Sequence, residues 1–135
     1  MRVGAGKKLV AVLALGLAMV VATPAQPASA AAYNCFLSQN LCLFWGTFNQ
    51  GSYVYFAPGV NDANLNDNTF TQSGSGQGQA VGNNTRSASN YNSSHAVVLC
   101  TGVNYSGICR ILAASDDWNL PSDLARNVES FYWVA

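Results

Sequence analysis

The stretch Val97 to Cys109 (Val-Val-Leu-Cys-Thr-Gly-Val-Asn-Tyr-Ser-Gly-Ile-Cys) constrains the fold more than any other part of the chain. It carries two cysteines and a Gly-bearing centre, with Val97, Val98 and Leu99 on one side and Ile111 and Leu112 on the other. Apolar, β-prone runs around turn residues predict a hairpin, and the cysteines predict that a disulfide closes it. An earlier segment from Leu41 to Gly51 (Leu-Cys-Leu-Phe-Trp-Gly-Thr-Phe-Asn-Gln-Gly) has the same layout.

A disulfide needs an oxidising compartment, and the start of the chain predicts one. Arg2, Lys7 and Lys8 precede an apolar run from Leu9 to Ala22, and a Pro- and Ala-rich tail ends in Ala28-Ser29-Ala30. This is the pattern of a secretory leader over residues 1–30, with cleavage expected after Ala30. The run falls short of the ~20 residues that span a bilayer, and small residues and prolines follow it, so no membrane anchor is expected after processing. The leader looks bacterial, and the expected location is secreted and extracellular.

The leader also carries away every lysine. From residue 31 onward, Arg86, Arg110 and Arg126 face Asp62, Asp67, Asp116, Asp117, Asp123 and Glu129, a formal charge of −3. Such a chain has no basic patch to hold phosphates, which argues against nucleic-acid binding. Residues 31–135 are the size of one small domain. Four cysteines allow three pairings. Cys35–Cys42 and Cys100–Cys109 are expected because each pair brackets a short turn-like segment. A metal site is a poor alternative, because the spacings are not C-x₂-C and His95 is the sole histidine.

Along the rest of the chain, Leu43-Phe44-Trp45 and Ser52 to Ala57 read as strands, the second with Tyr53 and Tyr55 on one face and Val54 and Phe56 on the other. Pro58-Gly59 ends it, and an Asn/Asp-rich loop follows with Leu65 as its apolar anchor. The Gly/Ser/Gln run at 72–79 predicts a flexible surface loop. Residues 83–90 read as polar and turn-forming, and 116–121 as a turn. Pro121 to Ala125 predicts one helical turn, and Phe131 to Val134 a last strand. No apolar 3.6-residue period runs far enough for a real helix, so the class is all-β.

The two hairpins align. Setting Gly51 on Gly107 also sets Gly46 on Gly102 and Leu43 on Leu99, an offset of 56. Downstream, Asn84 falls on Asn127 and Ser87 on Ser130 at an offset of 43, so the first copy is longer by 13, and the 72–79 run is where the extra residues fit. Two such units in an all-β chain predict two Greek keys packed as a sandwich.

With these residues in view, the chain resembles a βγ-crystallin-type domain. Within that superfamily it is most similar to the secreted bacterial peptidase inhibitor family I36, the Streptomyces metalloproteinase inhibitor family. The resemblance spans residues 33–135 and rests on Cys35 with Cys42-Leu43-Phe44, the Gly-marked hairpins and the two Asn-x-x-Ser elements. The superfamily hairpin has aromatics seven and two residues before its Gly. Phe44 and Tyr105 meet that pattern, whereas Asn49 and Cys100 depart from it. The resemblance implies an all-β βγ-crystallin-like sandwich with two local disulfides, acting as a monomer without a cofactor. It implies inhibition of a secreted, thermolysin-like metalloprotease through a disulfide-bounded loop, with the reactive bond just after the first cysteine of the second pair. That places the bond at Cys100–Thr101, with Gly102 and Val103 beyond it.

Other readings differ in class. The superfamily element N/D-N/D-x-x-S/T-S helps bind calcium, which makes Asn84, Ser87, Asn127 and Ser130 candidate ligands. Calcium prefers 6–8 oxygens, and carboxylates raise its affinity. These four side chains are amides and hydroxyls, so hydrogen bonding that ties down a loop explains them better. Catalysis is not expected: the cysteines are expected to be bonded, and His95 has no predictable nucleophile or carboxylate partner. A non-inhibitory module that binds wall glycan or a partner protein is the alternative, with Trp45, Tyr91 and Trp118 as possible stacking rings if they are not core.

Overall fold

The computed structural model describes residues 32–135. The expected leader, 1–30, lies outside the described residues. Seven strands form two antiparallel sheets: β1 (Leu41–Phe44), β2 (Tyr53–Phe56), β3 (Ser87–Asn90), β4 (Ala96–Gly102), β5 (Ser106–Leu112), β6 (Asp116–Asn119) and β7 (Ser130–Val134). One sheet has the order β2-β1-β3-β6 and the other β5-β4-β7. The all-β expectation holds.

The halves interlock, the second giving a strand to the first and the first a single bridge to the second. β6 follows the second hairpin in sequence but pairs with β3 of the first half, setting Trp118 opposite Ala88. In the first half, Asp62 makes the matching bridge to Phe131 on β7 of the second. The interlock holds two Greek keys around one core of Leu41, Leu43, Val54, Phe56, Leu65, Phe70, Val97, Leu99, Leu112, Leu124, Val128 and Phe131. Alternation along β2 sends Val54 and Phe56 into this core. Tyr53 joins Phe44, Cys35 and Cys42 in a smaller cluster on the other side of the sheet.

Two segments differ from the sequence expectation. Ser87–Asn90, expected as turn, is the fully buried strand β3 between β1 and β6. It has no large apolar side chain to announce it. Its burial is tolerated because the polar groups are bonded: Ser89 Oγ donates to Asp117, and Asn90 Nδ2 donates to the carbonyls of His95 (2.8 Å) and Ala113 (3.0 Å). Asp116–Asn119, also expected as turn, is the edge strand β6, where polar residues suit a solvent-facing edge. The helical turn at Pro121 is present, with Ala125 N donating to Pro121 O at 2.8 Å.

The Gly/Ser/Gln run is a surface loop, as expected, but it is anchored. Ser52 N donates to Ser75 O (2.8 Å), and Thr71 N and Gln72 N both donate to Tyr53 O (3.3 and 3.2 Å). Gly76, at φ +87°, lies against the Trp45 ring, where any Cβ would collide with the indole. The loop therefore closes over the outer edge of β2.

Candidate functional site

The second hairpin is built as the copy of the first. Its turn residues Asn104 and Tyr105 have φ of 55° and 60°, matching Phe48 and Asn49 at 53° and 57°. Gly107 at 81° matches Gly51 at 79°. Left-handed backbone is costly for residues with a Cβ. The cost is offset by one serine in each half. Ser87 Oγ donates to Gly46 O (2.6 Å) and accepts from Asn49 N (3.0 Å). Ser130 Oγ donates to Gly102 O (2.6 Å) and accepts from Tyr105 N (3.0 Å).

The Asn-x-x-Ser elements also hold the halves to each other. Asn83 N donates to Val128 O (3.0 Å), and Arg126 N donates to Thr85 O (2.8 Å). Asn84 Nδ2 donates back to Ala80 O (2.9 Å), as Asn127 Nδ2 does to Asp123 O (3.3 Å). All four calcium candidates thus have structural hydrogen bonds. Among the described residues, no three His, Cys, Asp or Glu side chains gather as a metal-ligand group.

Both expected disulfides are present, Cys35–Cys42 and Cys100–Cys109. The second links two residues directly opposite each other on β4 and β5. In the first hairpin the same register position holds Phe44 opposite Tyr53, their ring centroids 5.6 Å apart. A disulfide in one copy stands where an aromatic pair stands in the other.

The four loop candidates lie along the end of β4 and into its turn. Cys100 is fully buried in the central strand of its sheet, paired with Cys109 on one side and Ser130 on the other. Its carbonyl accepts from Glu129 N at 2.9 Å. Thr101 sits where the ladder shifts register between Cys100 and Gly102, and its Oγ1 accepts from Ile108 N (2.9 Å). Gly102 and Val103 are half-buried, and Val103 O accepts from Ser106 Oγ (2.6 Å).

The accessible half of the hairpin is β5, which sequence reasoning passed over. Ser106 to Ile111 are all exposed, with Ile108 at 52% and Ile111 at 60%, and Tyr105 beside them at 40%. β5 is an edge strand. The signal for this was the missing insertion: the second copy has no counterpart of the 72–79 loop that closes over β2.

His95 lies on an exposed turn, its Nδ1 2.8 Å from Ser94 Oγ and 3.3 Å from Asn92 Oδ1. This is a local turn in which Asn92 Oδ1 also accepts from the backbone N–H of Ser94 and His95. Trp45 and Trp118 are half-buried against the main core, and Tyr91 against the smaller cluster.

Duplicated hairpins, a strand and a bridge crossing between the halves, and a serine tie in each half define a two-Greek-key domain of the βγ-crystallin fold. Solved structures bear this out. A solved structure bearing on the evolution of the eye lens βγ-crystallin domain fold matches with a TM-score of 0.58 at 12% identity, over 73% of this chain and 87% of that one. A βγ-crystallin domain from Flavobacterium johnsoniae matches at 0.53 and 14%, over 70% and 93%. One from Clostridium beijerinckii matches at 0.52 and 16%, over 70% and 95%. No family model and no curated protein matches the chain.

Proposed function

We propose that the chain is a secreted inhibitor of an extracellular protease, of the family I36 type, and that it engages the enzyme through the β4–β5 hairpin. The observation that carries this reading is the open edge of β5, with Ile108 and Ile111 exposed beside a disulfide. A protease cleft takes its substrate as an extended strand, pairing with its backbone and housing alternate side chains in pockets. An edge strand with exposed large apolar residues offers both. The Cys100–Cys109 bond and the Ser130 ties hold the hairpin in one shape, which lowers the ordering cost of binding.

A cleft can close on the Cys100–Thr101 bond only if the hydrogen bond from Glu129 N to Cys100 O opens. β5 needs no such opening. Recognition therefore falls to Tyr105, Ile108 and Ile111, and Cys100–Thr101 is the bond to check for cutting. A thermolysin-like enzyme, which favours large apolar side chains, is the first target to test. The two disulfides fit the oxidising exterior that the leader predicts.

The test is a panel of secreted metallo- and serine proteases titrated with the disulfide-bonded protein. Stoichiometric loss of metalloprotease activity is expected, and Ile108→Asp with Ile111→Asp should abolish it while the far-UV spectrum stays unchanged. Full activity across the panel at excess protein would refute the reading.

A further inference from the structure

A second surface, on the opposite sheet, has the chemistry of a ligand site and no part in the hairpin. Two shallow grooves flank the edge strand β6 and meet at Asp117. The first, about 260 Å³, is lined by Phe48, Asn49, Asp117, Trp118 and Asn119. The second, about 240 Å³, is lined by Phe36, Tyr91, Asp116 and Asp117, with Asn90 and Ser115. Each groove therefore pairs aromatic rings with a carboxylate.

The polar groups are held in place with valences to spare. Asp117 Oδ1 accepts from Asn49 Nδ2 (3.0 Å) and from Ser89 Oγ, and both bonds go to that one oxygen. Asn119 Oδ1 accepts from Phe48 N (2.6 Å). Among the described residues, Asp117 Oδ2 and Asn119 Nδ2 have no protein partner, so an acceptor and a donor two residues apart on β6 face the first groove. Phe48 is 75% exposed, a large apolar ring that contributes little to the core. Phe36, 62% exposed, packs edge-on to Tyr91 with centroids 5.9 Å apart.

We infer that this face binds a neutral oligosaccharide, one pyranose ring in each groove. A pyranose presents a C–H face that stacks on aromatic rings and vicinal hydroxyls that both donate and accept. The first groove supplies a ring, an acceptor and a donor, which is what a pair of neighbouring hydroxyls requires. Asp116 and Asp117 line the grooves and no arginine or lysine does, which disfavours anionic sugars and phosphates by like-charge repulsion. A lysine-rich peptide would pair with the carboxylates, and its binding is the competing outcome of the test. This site is independent of protease inhibition.

The test is isothermal titration of the disulfide-bonded protein with chitotetraose, cellotetraose and tetralysine. Binding of a tetrasaccharide is expected, weakened about tenfold or more by Phe48→Ala or Asp117→Asn, the loss of one stacking or hydrogen-bonding contact of roughly 1.4 kcal/mol. Ile108→Asp, on the other sheet, should leave it unchanged. Phe48 is exposed enough that its removal does not threaten folding, so Phe48→Ala remains informative if Asp117→Asn is unstable. Binding of tetralysine alone, no binding of either sugar at millimolar concentration, or equal loss in Ile108→Asp would each overturn the inference.

Discussion

The two hairpins share a backbone and differ in what closes them and what covers them. In the first, Phe44 and Tyr53 stack across the strands, and the 13-residue insertion folds back so that Thr71 and Gln72 donate to the carbonyl of Tyr53. In the second, Cys100 and Cys109 replace the ring pair and, among the described residues, no equivalent loop covers β5. Closure by packed rings and closure by a disulfide have different consequences for the edge. A hairpin packed by side chains can be buried at its edge. One stapled covalently keeps its shape with that edge exposed, and so can present the edge to a partner.

Removing the closure of each hairpin measures this difference, and the largest effect is expected in the first. Phe44→Ala empties a buried aromatic site and should cost ~3–5 kcal/mol, read as the urea midpoint. The Cys100→Ala/Cys109→Ala pair should cost about 2–4 kcal/mol, because it frees the unfolded chain more than it empties the folded one. The sharper form is exchange: Cys100→Phe with Cys109→Tyr should restore a ring pair and make stability insensitive to reductant at the second hairpin. If that variant is less stable than the double alanine, the two closures are not interchangeable and the comparison fails.

The duplication was legible because glycine carries it at a constant offset: Gly51 and Gly107 take left-handed backbone, and Gly46 and Gly102 sit where a Cβ would collide with the other side of the turn. The disulfide pairing was legible from the short segments it brackets. β3 was hidden because Ser87, Ala88, Ser89 and Asn90 are small and polar, and their burial depends on partners far along the chain such as Gly46 and Asp117. β6 was hidden for the opposite reason, since Asp116 and Asp117 are ordinary turn residues until the crossing between halves gives them β3 to pair with. The candidate bond at Cys100–Thr101 was found by family pattern. Its place inside a central strand is a tertiary fact that no local spacing contains.

The serine ties are the next test, and here the hairpins should behave alike. Ser87→Ala and Ser130→Ala each leave a carbonyl and an N–H of a left-handed turn without their partner. A cost of roughly 1–3 kcal/mol is expected for each, equal within error. Adding calcium should not stabilise either hairpin, since a ligand at a hundredfold excess over its Kd would contribute ~2.7 kcal/mol, easily seen as a shifted melting temperature. A calcium-dependent shift abolished by Ser87→Ala would show that the hydroxyl serves an ion as well as the turn.

The smallest effect lies where the copies diverge in polarity. Val54 of the first hairpin packs in the core, whereas Arg110 stands at the same place in the second and pairs with Asp123. The hydrogen bond from the Arg110 guanidinium holds the Asp123 carboxyl below its usual range, and the carboxylate raises the Arg110 pKa in turn. Because the folded pKa of Asp123 is depressed, whatever the pair contributes is present above the unfolded Asp value of about 3.9 and fades as pH falls through the lower folded value. Arg110 is exposed and Asp123 half-buried, so salt should weaken the pair as well. Urea midpoints of the native protein and Asp123→Asn should therefore differ slightly at neutral pH and low salt, and converge in acid. A gap that persists in acid would assign the role of Asp123 to its uncharged contacts. Arg110 would then brace β5 by packing, and the polarity difference between the hairpins would have no electrostatic consequence.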